Sequence, residues 1–228
     1  MSTLLNERTR IGWHPITLGL ALVVALSVLR AGAAVAMRGL FGSIDFPATL
    51  PGALFLLAVF LVGSVGIVGG GLFGLAGVSW DRLGWRKERL LRHIGRGILA
   101  AIVIGIITMV GALVAVGFLG LERPETAAAG PQQFSLVGGL MTVFFGFFIA
   151  SWQEENLFRG YLQPLLIERL GLWPGIIAQA ALFSLAHLGW YPSWHFFVLA
   201  FAAGLILGWL RGRDGSLVAA FVAHGLIG

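Results

Sequence analysis

The stretch EENLFR, residues 154–159, places two adjacent carboxylates and an arginine inside a hydrophobic run that extends from about residue 134 to residue 167. An ionised carboxylate in hydrocarbon is strongly destabilised unless it is paired with an opposite charge or lines a wet cavity. Charged residues at such a position are therefore candidates for a functional site within a membrane.

The composition indicates an integral membrane protein. Of the 228 residues, 58% are hydrophobic and 11% are charged, and the mean hydropathy is +0.92. A soluble globule needs more polar surface than this. We therefore predict an all-α, polytopic membrane helical bundle that forms one domain over residues 1–228, with its motif-bearing core in residues 134–228. The absence of cysteine excludes disulfides, thiolate nucleophiles and cysteine-ligated metals.

Apolar runs long enough to cross about 30 Å of hydrocarbon predict about seven transmembrane segments, or eight helices if a short amphipathic one is included. The runs lie near residues 16–37, 51–78, 98–121, 134–167, 173–188, 194–210 and 216–228. The last run is too short to span a bilayer. Residues 80–97 combine six cations with apolar side chains, which fits either an amphipathic segment on the cytoplasmic surface or a solvated basic loop.

Positive charges between the runs predict a cytoplasmic N-terminus, because cytoplasmic loops are enriched in Lys and Arg. With that orientation the inner segments hold eleven basic residues: Arg8, Arg10, Arg82, Arg86, Lys87, Arg89, Arg92, Arg96, Arg169, Arg211 and Arg213. The outer segments hold two, Arg38 and Arg123. This pattern is topological, so the net charge of +5 does not indicate a nucleic-acid partner.

Three ionisable side chains of the last spans fall at similar depths. At 1.5 Å per residue, Glu154 lies about 20 Å, His187 about 21 Å and His224 about 12 Å from the cytoplasmic end of its predicted helix. We expect these three groups to converge in one layer of the bundle. His195 begins its span on the outer side, where an aromatic belt is expected, and Arg30 is expected to snorkel outward from the first span.

Helical geometry separates the two glutamates. Glu155 and Arg159 are four residues apart and share one helix face, so they should form an ion pair. Glu154 is turned by about 100° from Glu155, which leaves it free to face the histidines. Glu154 is therefore the stronger candidate for a general base.

Three ordered motifs stand out in the last spans: EExxxR at Glu154, Glu155 and Arg159, FxxxH at Phe183 and His187, and His224. They resemble the motifs of the CAAX protease and bacteriocin-processing family, the intramembrane endopeptidases that include the type II CAAX prenyl endopeptidases. The resemblance covers about residues 134–228. It implies a membrane-embedded protease that acts on a peptide or protein substrate at the lipid bilayer.

The resemblance also implies roles for individual residues. Glu154 and His187 would activate the hydrolytic water, His224 would contribute to the site, and Phe183 would contact substrate. Glu154, His187 and His224 could supply the Glu/His/His ligands of a catalytic zinc. Equally, no metal is needed if Glu154 is the base and His224 polarises the carbonyl. The family usually has Asn or Asp four residues after the last His, where this chain has Gly228.

Two other classes of function fit the same residues. A non-catalytic membrane scaffold or bacteriocin-immunity-type protein of the same fold would retain the motif for stability. A small-solute or ion transporter would also explain buried charge, but it is disfavoured because no inverted repeat is evident in the sequence.

Overall fold

A computed structural model describes residues 12–41, 50–118, 120, 144, 146–187 and 194–227. The regular structure of these residues is entirely helical. In chain order the helices are α1 (Trp13–Phe41), α2 (Leu50–Leu61, continued by a π-helical part, Val62–Leu75), α3 (Trp80–Leu83), α4 (Leu90–Gly117), α5 (the consecutive parts Gly146–Ser151, Trp152–Glu154, Glu155–Leu162 and Gln163–Leu170), α6 (Leu172–His187), α7 (Trp194–Asp214) and α8 (Val218–Ile227).

Four stretches of helix within the described residues are long and apolar enough to cross a membrane. They are Trp13–Phe41, Leu54–Leu75, Leu90–Gly117 and Phe196–Asp214. Helices α6 and α8 are apolar but shorter. The predicted all-α, polytopic membrane bundle is thereby confirmed, while the beginning of the run predicted from residue 134 lies outside the described residues.

The basic segment of residues 80–97 is largely helical, so the interpretation as a solvated loop is wrong, and its position on the cytoplasmic surface stays a prediction. It consists of the short helix α3, a turn, and the first two turns of α4. Helix α4 begins at Leu90, eight residues before the predicted span, because apolar residues recur between the cations and permit the helix to extend. The cations Arg92 and Arg96 therefore lie on the end of a spanning helix.

The interior contains two packed regions of apolar side chains. The first brings together α1, α2, α5 and α6 in one connected cluster, which includes Leu22, Leu72, Leu162 and Phe183. The second joins α4, α7 and α8 through residues that include Ile104, Leu207 and Ala219. Helix α5 lies between neighbours on every side, since each residue from Gln153 to Gln163 is buried.

Small residues allow the closest helix contacts. A Cβ on Gly97 of α4 would lie only 2.7 Å from the carbonyl oxygen of Ala219 and from the Cβ of Val222 on α8. Membrane helices associate by such backbone proximity, because water does not drive them together within lipid. The α4–α8 contact matters for the site since α8 carries His224.

The polarity of the bundle is inverted relative to that of a soluble protein. Large apolar side chains are exposed along the spans, including Val28, Leu91 and Leu113, whereas Glu154, Glu155 and other polar groups are buried. A hydrocarbon solvent favours this distribution. The fold therefore carries its charged residues inward, where they require partners.

Candidate active site

The central part of α5 carries the charges that define the site. Glu154 is 3% exposed, and Glu155 and Arg159 are fully buried. From Glu155 to Leu162 this helix has wide π-helical turns, and the N–H of Gln163 donates to the carbonyl of Phe158, five residues earlier. Insertions of this kind are common at functional sites because they redirect side chains within a helix.

Glu155 has two partners. Its Oε1 accepts a hydrogen bond from Arg159 Nη1 at 2.9 Å and lies 2.8 Å from Nδ1 of His224. The predicted i,i+4 pair is confirmed. The contact with His224 was not foreseen, because a sequence does not show which residue of α8 faces α5. Glu155 therefore fixes both the arginine of its own helix and the imidazole of another.

Glu154 faces both motif histidines. Its Oε2 lies 3.5 Å from Nε2 of His187 and 3.5 Å from Nε2 of His224. The same Oε2 is buried and has no hydrogen-bond partner within the described part of the chain. The structure thus brings together the three groups that the sequence placed at one depth, on α5, α6 and α8.

The other ring nitrogen of each histidine has a partner that orients the ring. Nδ1 of His187 lies 2.7 Å from the carbonyl oxygen of Phe183 on the same helix. A carbonyl only accepts, so Nδ1 of His187 carries the proton in this bond and Nε2 of the neutral ring presents a lone pair. In His224, a proton on Nδ1 satisfies the carboxylate of Glu155 in the same way. Both Nε2 atoms can therefore accept a proton beside Glu154.

Arg30 corrects one expectation from the sequence. Its Nη1 forms an ion pair with Glu154 Oε1, and its Nη2 donates to Gln153 Oε1 at 2.8 Å. The predicted outward snorkelling fails because α1 continues eleven residues beyond Arg30, to Phe41. At 1.5 Å per residue that end is about 16 Å away, which exceeds the reach of an arginine side chain.

Gln153 ties this ion pair to α2. Its amide Nε2 donates to Ser64 Oγ at 2.7 Å and to the carbonyl of Phe60 at 3.1 Å. Gln153 is 1% exposed, so these bonds satisfy an amide that would otherwise be costly to bury. Sequence reasoning missed Arg30 and Gln153 as members of the site. The available signal was a single arginine deep within the first apolar run.

The ring of Phe183 contacts three of the charged or imidazole side chains of the site. Its ring lies 4.0 Å from the guanidinium carbon of Arg159, and its centroid lies 4.5 Å from that of His187 and 5.7 Å from that of His224. The side chain is 3% exposed. These contacts stabilise Arg159 through a cation–π interaction and hold both imidazoles against an apolar surface. A role of Phe183 in binding substrate stays a prediction.

The fit to a metal ion can be tested on the same side chains. Within the described residues, no group of three or more His, Asp or Glu side chains has the arrangement of a metal site. Glu154 also pairs with Arg30, whose positive charge opposes a cation at the same carboxylate. Glu154, His187 and His224 nevertheless lie together, and their role as the ligands of a catalytic zinc stays a prediction.

Two expectations from the sequence, on His195 and on Gly228, concern positions that the structure describes only in part or not at all. His195 lies in the first turn of α7, but the position of its side chain is not among the described features. Gly228, the position at which the resembling family carries Asn or Asp, lies outside the described residues. The remaining predicted site residues, Glu154, Glu155, Arg159, His187 and His224, form one connected group.

Comparison with known families gives one match. Residues 133–228 match the family model described as "Type II CAAX prenyl endopeptidase Rce1-like". The resemblance seen in the motifs is confirmed. The matched region contains the EExxxR motif, both motif histidines and Phe183, and it supports a membrane protease at the level of the family. No curated protein and no solved structure matched the chain in the corresponding comparisons.

Proposed function

We propose that the protein is an intramembrane endopeptidase of the CAAX type, in which Glu154 and the two motif histidines activate water for peptide-bond hydrolysis. The observation that carries the proposal is the convergence on Glu154 Oε2 of two imidazole Nε2 atoms, each 3.5 Å away. A water bound among these atoms would be within reach of a carboxylate base and two further hydrogen-bonding groups. The family match of residues 133–228 supports the same reaction class.

The chemistry assigns different tasks to the two oxygens of Glu154. Oε1 is occupied by Arg30, which favours the ionised carboxylate in a buried position. Oε2 is the oxygen that accepts a proton from water as the water oxygen attacks the scissile carbonyl carbon. Glu154 then returns this proton to the leaving nitrogen while the carbon–nitrogen bond breaks.

The histidines orient the water and stabilise the charge that develops. His187, fixed through Nδ1 by the carbonyl of Phe183, accepts a hydrogen bond from the water at Nε2. His224 is held through Nδ1 by the carboxylate of Glu155, which orients its Nε2 toward Glu154 and the reacting carbonyl. If His224 enters the reaction as an imidazolium that has taken a second proton from bulk water, its Nε2–H donates a hydrogen bond to the oxyanion and keeps that proton throughout, a contribution on the order of 3 kcal/mol for a single donor.

The membrane setting and the partner follow from the same proposal. The substrate is a peptide or a protein tail that reaches the site at the lipid bilayer. The excess of basic residues in the inner segments supports a cytoplasmic N-terminus, and with that orientation the basic ends of α4 and α7 face the cytoplasm. The site itself lies within the bundle, and no step of this mechanism requires a metal.

The decisive experiment compares Glu154→Gln with a matched substitution on the same helix. Glu168 lies near the end of α5, is exposed, and forms no ion pair within the described residues. Both variants remove one carboxylate, and turnover is followed with membrane-tethered peptides that carry either a prenylated or an unmodified cysteine near the C-terminus. We expect Glu154→Gln to abolish cleavage in a folded protein and Glu168→Gln to retain it. Cleavage by Glu154→Gln at the wild-type rate would refute the assignment.

A non-catalytic scaffold is the second candidate, and one observation favours it. Glu154 already has Arg30 as an ion-pair partner, so the network of α1, α5, α6 and α8 can be explained by stability alone. A scaffold would bind its partner peptide with the same affinity in wild type and Glu154→Gln, and neither protein would cleave it. Turnover by the wild type that is lost in Glu154→Gln separates the enzyme from the scaffold.

A further inference from the structure

A second charged region lies away from Glu154, where α4 begins and α7 ends. It is a cavity of about 430 Å³. The cations that line it are Arg86, Arg89, Arg92, Arg96 and Arg213. Two acids, Glu88 and Asp214, and the imidazole of His93 complete the lining. Five arginines against two carboxylates give the cavity a clear excess of positive charge.

Asp214 does not neutralise the remaining arginines of the cavity, because both of its carboxylate oxygens already face other side chains. Asp214 Oδ1 pairs with Arg96, and its Oδ2 lies 3.4 Å from Nδ1 of His93. In the described part of the chain, no carboxylate lies within ion-pair distance of Arg86, Arg89 or Arg92. Three guanidinium groups therefore share a concave surface without a carboxylate partner among the described residues, and their mutual repulsion would be relieved by an anion.

The walls of the cavity are held in place by contacts between separate elements. The pair of Arg96 and Asp214 joins α4 to the end of α7. The N–H of Leu217 donates to the carbonyl of Gly84 at 2.7 Å, which fastens the turn after α3 to the segment before α8. The guanidinium groups are thus carried by a fixed backbone, which lowers the entropy lost when they bind a ligand.

The level of the cavity in the membrane indicates which anion it fits. Its residues occupy the turn just before the span Leu90–Gly117, the first two turns of that span and the last turn of the span Phe196–Asp214. Both ends belong at the boundary between hydrocarbon and water. Leu91, between Arg89 and Arg92 in the sequence, is 83% exposed and presents an apolar side chain beside the cations. An amphipathic ligand bound at this position would place its polar headgroup among the arginines and its apolar tail in the hydrocarbon.

We propose that this cavity binds the phosphate-bearing headgroup of an anionic membrane lipid. Guanidinium groups match phosphate oxygens in charge and in bidentate geometry. Basic pockets between membrane helices are a known means of retaining anionic headgroups. The site is separate from Glu154 and does not depend on the hydrolytic function proposed above.

The test uses the full chain, purified in a neutral detergent and titrated with a headgroup-labelled phosphatidylglycerol. Arg86→Gln combined with Arg92→Gln removes two unpaired cations from the cavity. The matched control, Arg38→Gln combined with Arg82→Gln, removes the same charge from exposed positions that do not line the cavity. Each basic residue near an anionic surface contributes roughly fivefold to binding, so the cavity variant, which lacks two of them, should weaken saturable binding about twenty-five-fold. The control should bind like the wild type.

Three outcomes would overturn the proposal. The first is equal weakening in both double variants, which would indicate nonspecific attraction by the whole charged surface. The second is an absence of saturable lipid binding by the wild type. The third is complete displacement of the lipid by an equal concentration of inorganic phosphate, which would assign the cavity to a free anion. Arg213→Gln serves as an independent variant if the double substitution lowers the yield of folded protein, and it should weaken lipid binding about fivefold.

Discussion

Replacing Arg30 by Gln tests whether the first helix stabilises the ionised site. The substitution removes the ion pair with Glu154 and the 2.8 Å bond to Gln153, yet Gln preserves much of the side-chain volume. Glu154, which is 3% exposed in the wild type, would then lose its arginine partner. Arg38→Gln is the control, since Arg38 lies on the same helix and is exposed.

The expected loss of stability follows from the burial of the two partners. Removal of one member of a fully buried pair costs about 3–5 kcal/mol. Because the side chain of Arg30 is 17% exposed and two imidazoles remain 3.5 Å from Glu154, we expect the lower end of that range, about 3 kcal/mol. The double variant Arg30→Gln with Glu154→Gln leaves no unpaired charge, so its loss should fall below the sum of the single losses by about 2 kcal/mol.

The assay is reversible unfolding in mixed micelles, followed by helical circular dichroism as the denaturing detergent fraction rises. The free energy of unfolding is compared among wild type, both single variants, the double variant and Arg38→Gln. Strictly additive losses in the double variant would refute the coupling between Arg30 and Glu154. A loss for Arg30→Gln no larger than that for Arg38→Gln would refute the structural role of the pair.

Three other predictions concern the partners of the site. Glu155→Gln should lower the free energy of unfolding by about 3 kcal/mol and should also lower turnover, because Glu155 holds both Arg159 and His224. Unchanged turnover in a destabilised variant would limit Glu155 to a structural role. Gly97→Val should destabilise the α4–α8 contact by about 1–3 kcal/mol in a denaturation assay, whereas Gly95→Val, which has open space around it, should be tolerated apart from its helix propensity. Single cysteines introduced at Ser79 or Gly212 should be labelled only from the cytoplasmic side, and labelling only from outside intact cells would invert the proposed topology.

The sequence predicted the site through spacing within helices and depth along them. The pair of Glu155 and Arg159 depends only on an i,i+4 relation, and the structure contains it. The convergence of Glu154, His187 and His224 depends on helix rise and on the ends of apolar runs, both of which are visible in the sequence. Local geometry of this kind is largely independent of how the helices pack.

The relations that the sequence did not predict involve packing between distant helices. Arg30 meets Glu154 across 124 positions of the chain, and no periodic pattern records that contact. The error about Arg30 arose from placing the end of the first span at residue 37, whereas α1 continues to Phe41. Likewise, the beginning of α4 at Leu90 was missed because charged residues at a helix end resemble a loop in a hydropathy pattern.

The contact between Arg30 and Glu154 also bears on which part of the chain forms a complete site. Residues 133–228 contain the motifs that match the family, and within them Glu154 meets both histidines. The guanidinium that pairs with Glu154, however, comes from α1, and the partners of Gln153 come from α2. A buried carboxylate that lost these partners would be strongly destabilised in its ionised form. In the proposed mechanism the motif-bearing region therefore supplies the reactive groups, and the N-terminal helices supply the charge and hydrogen bonds that would let Glu154 act as a base within the membrane.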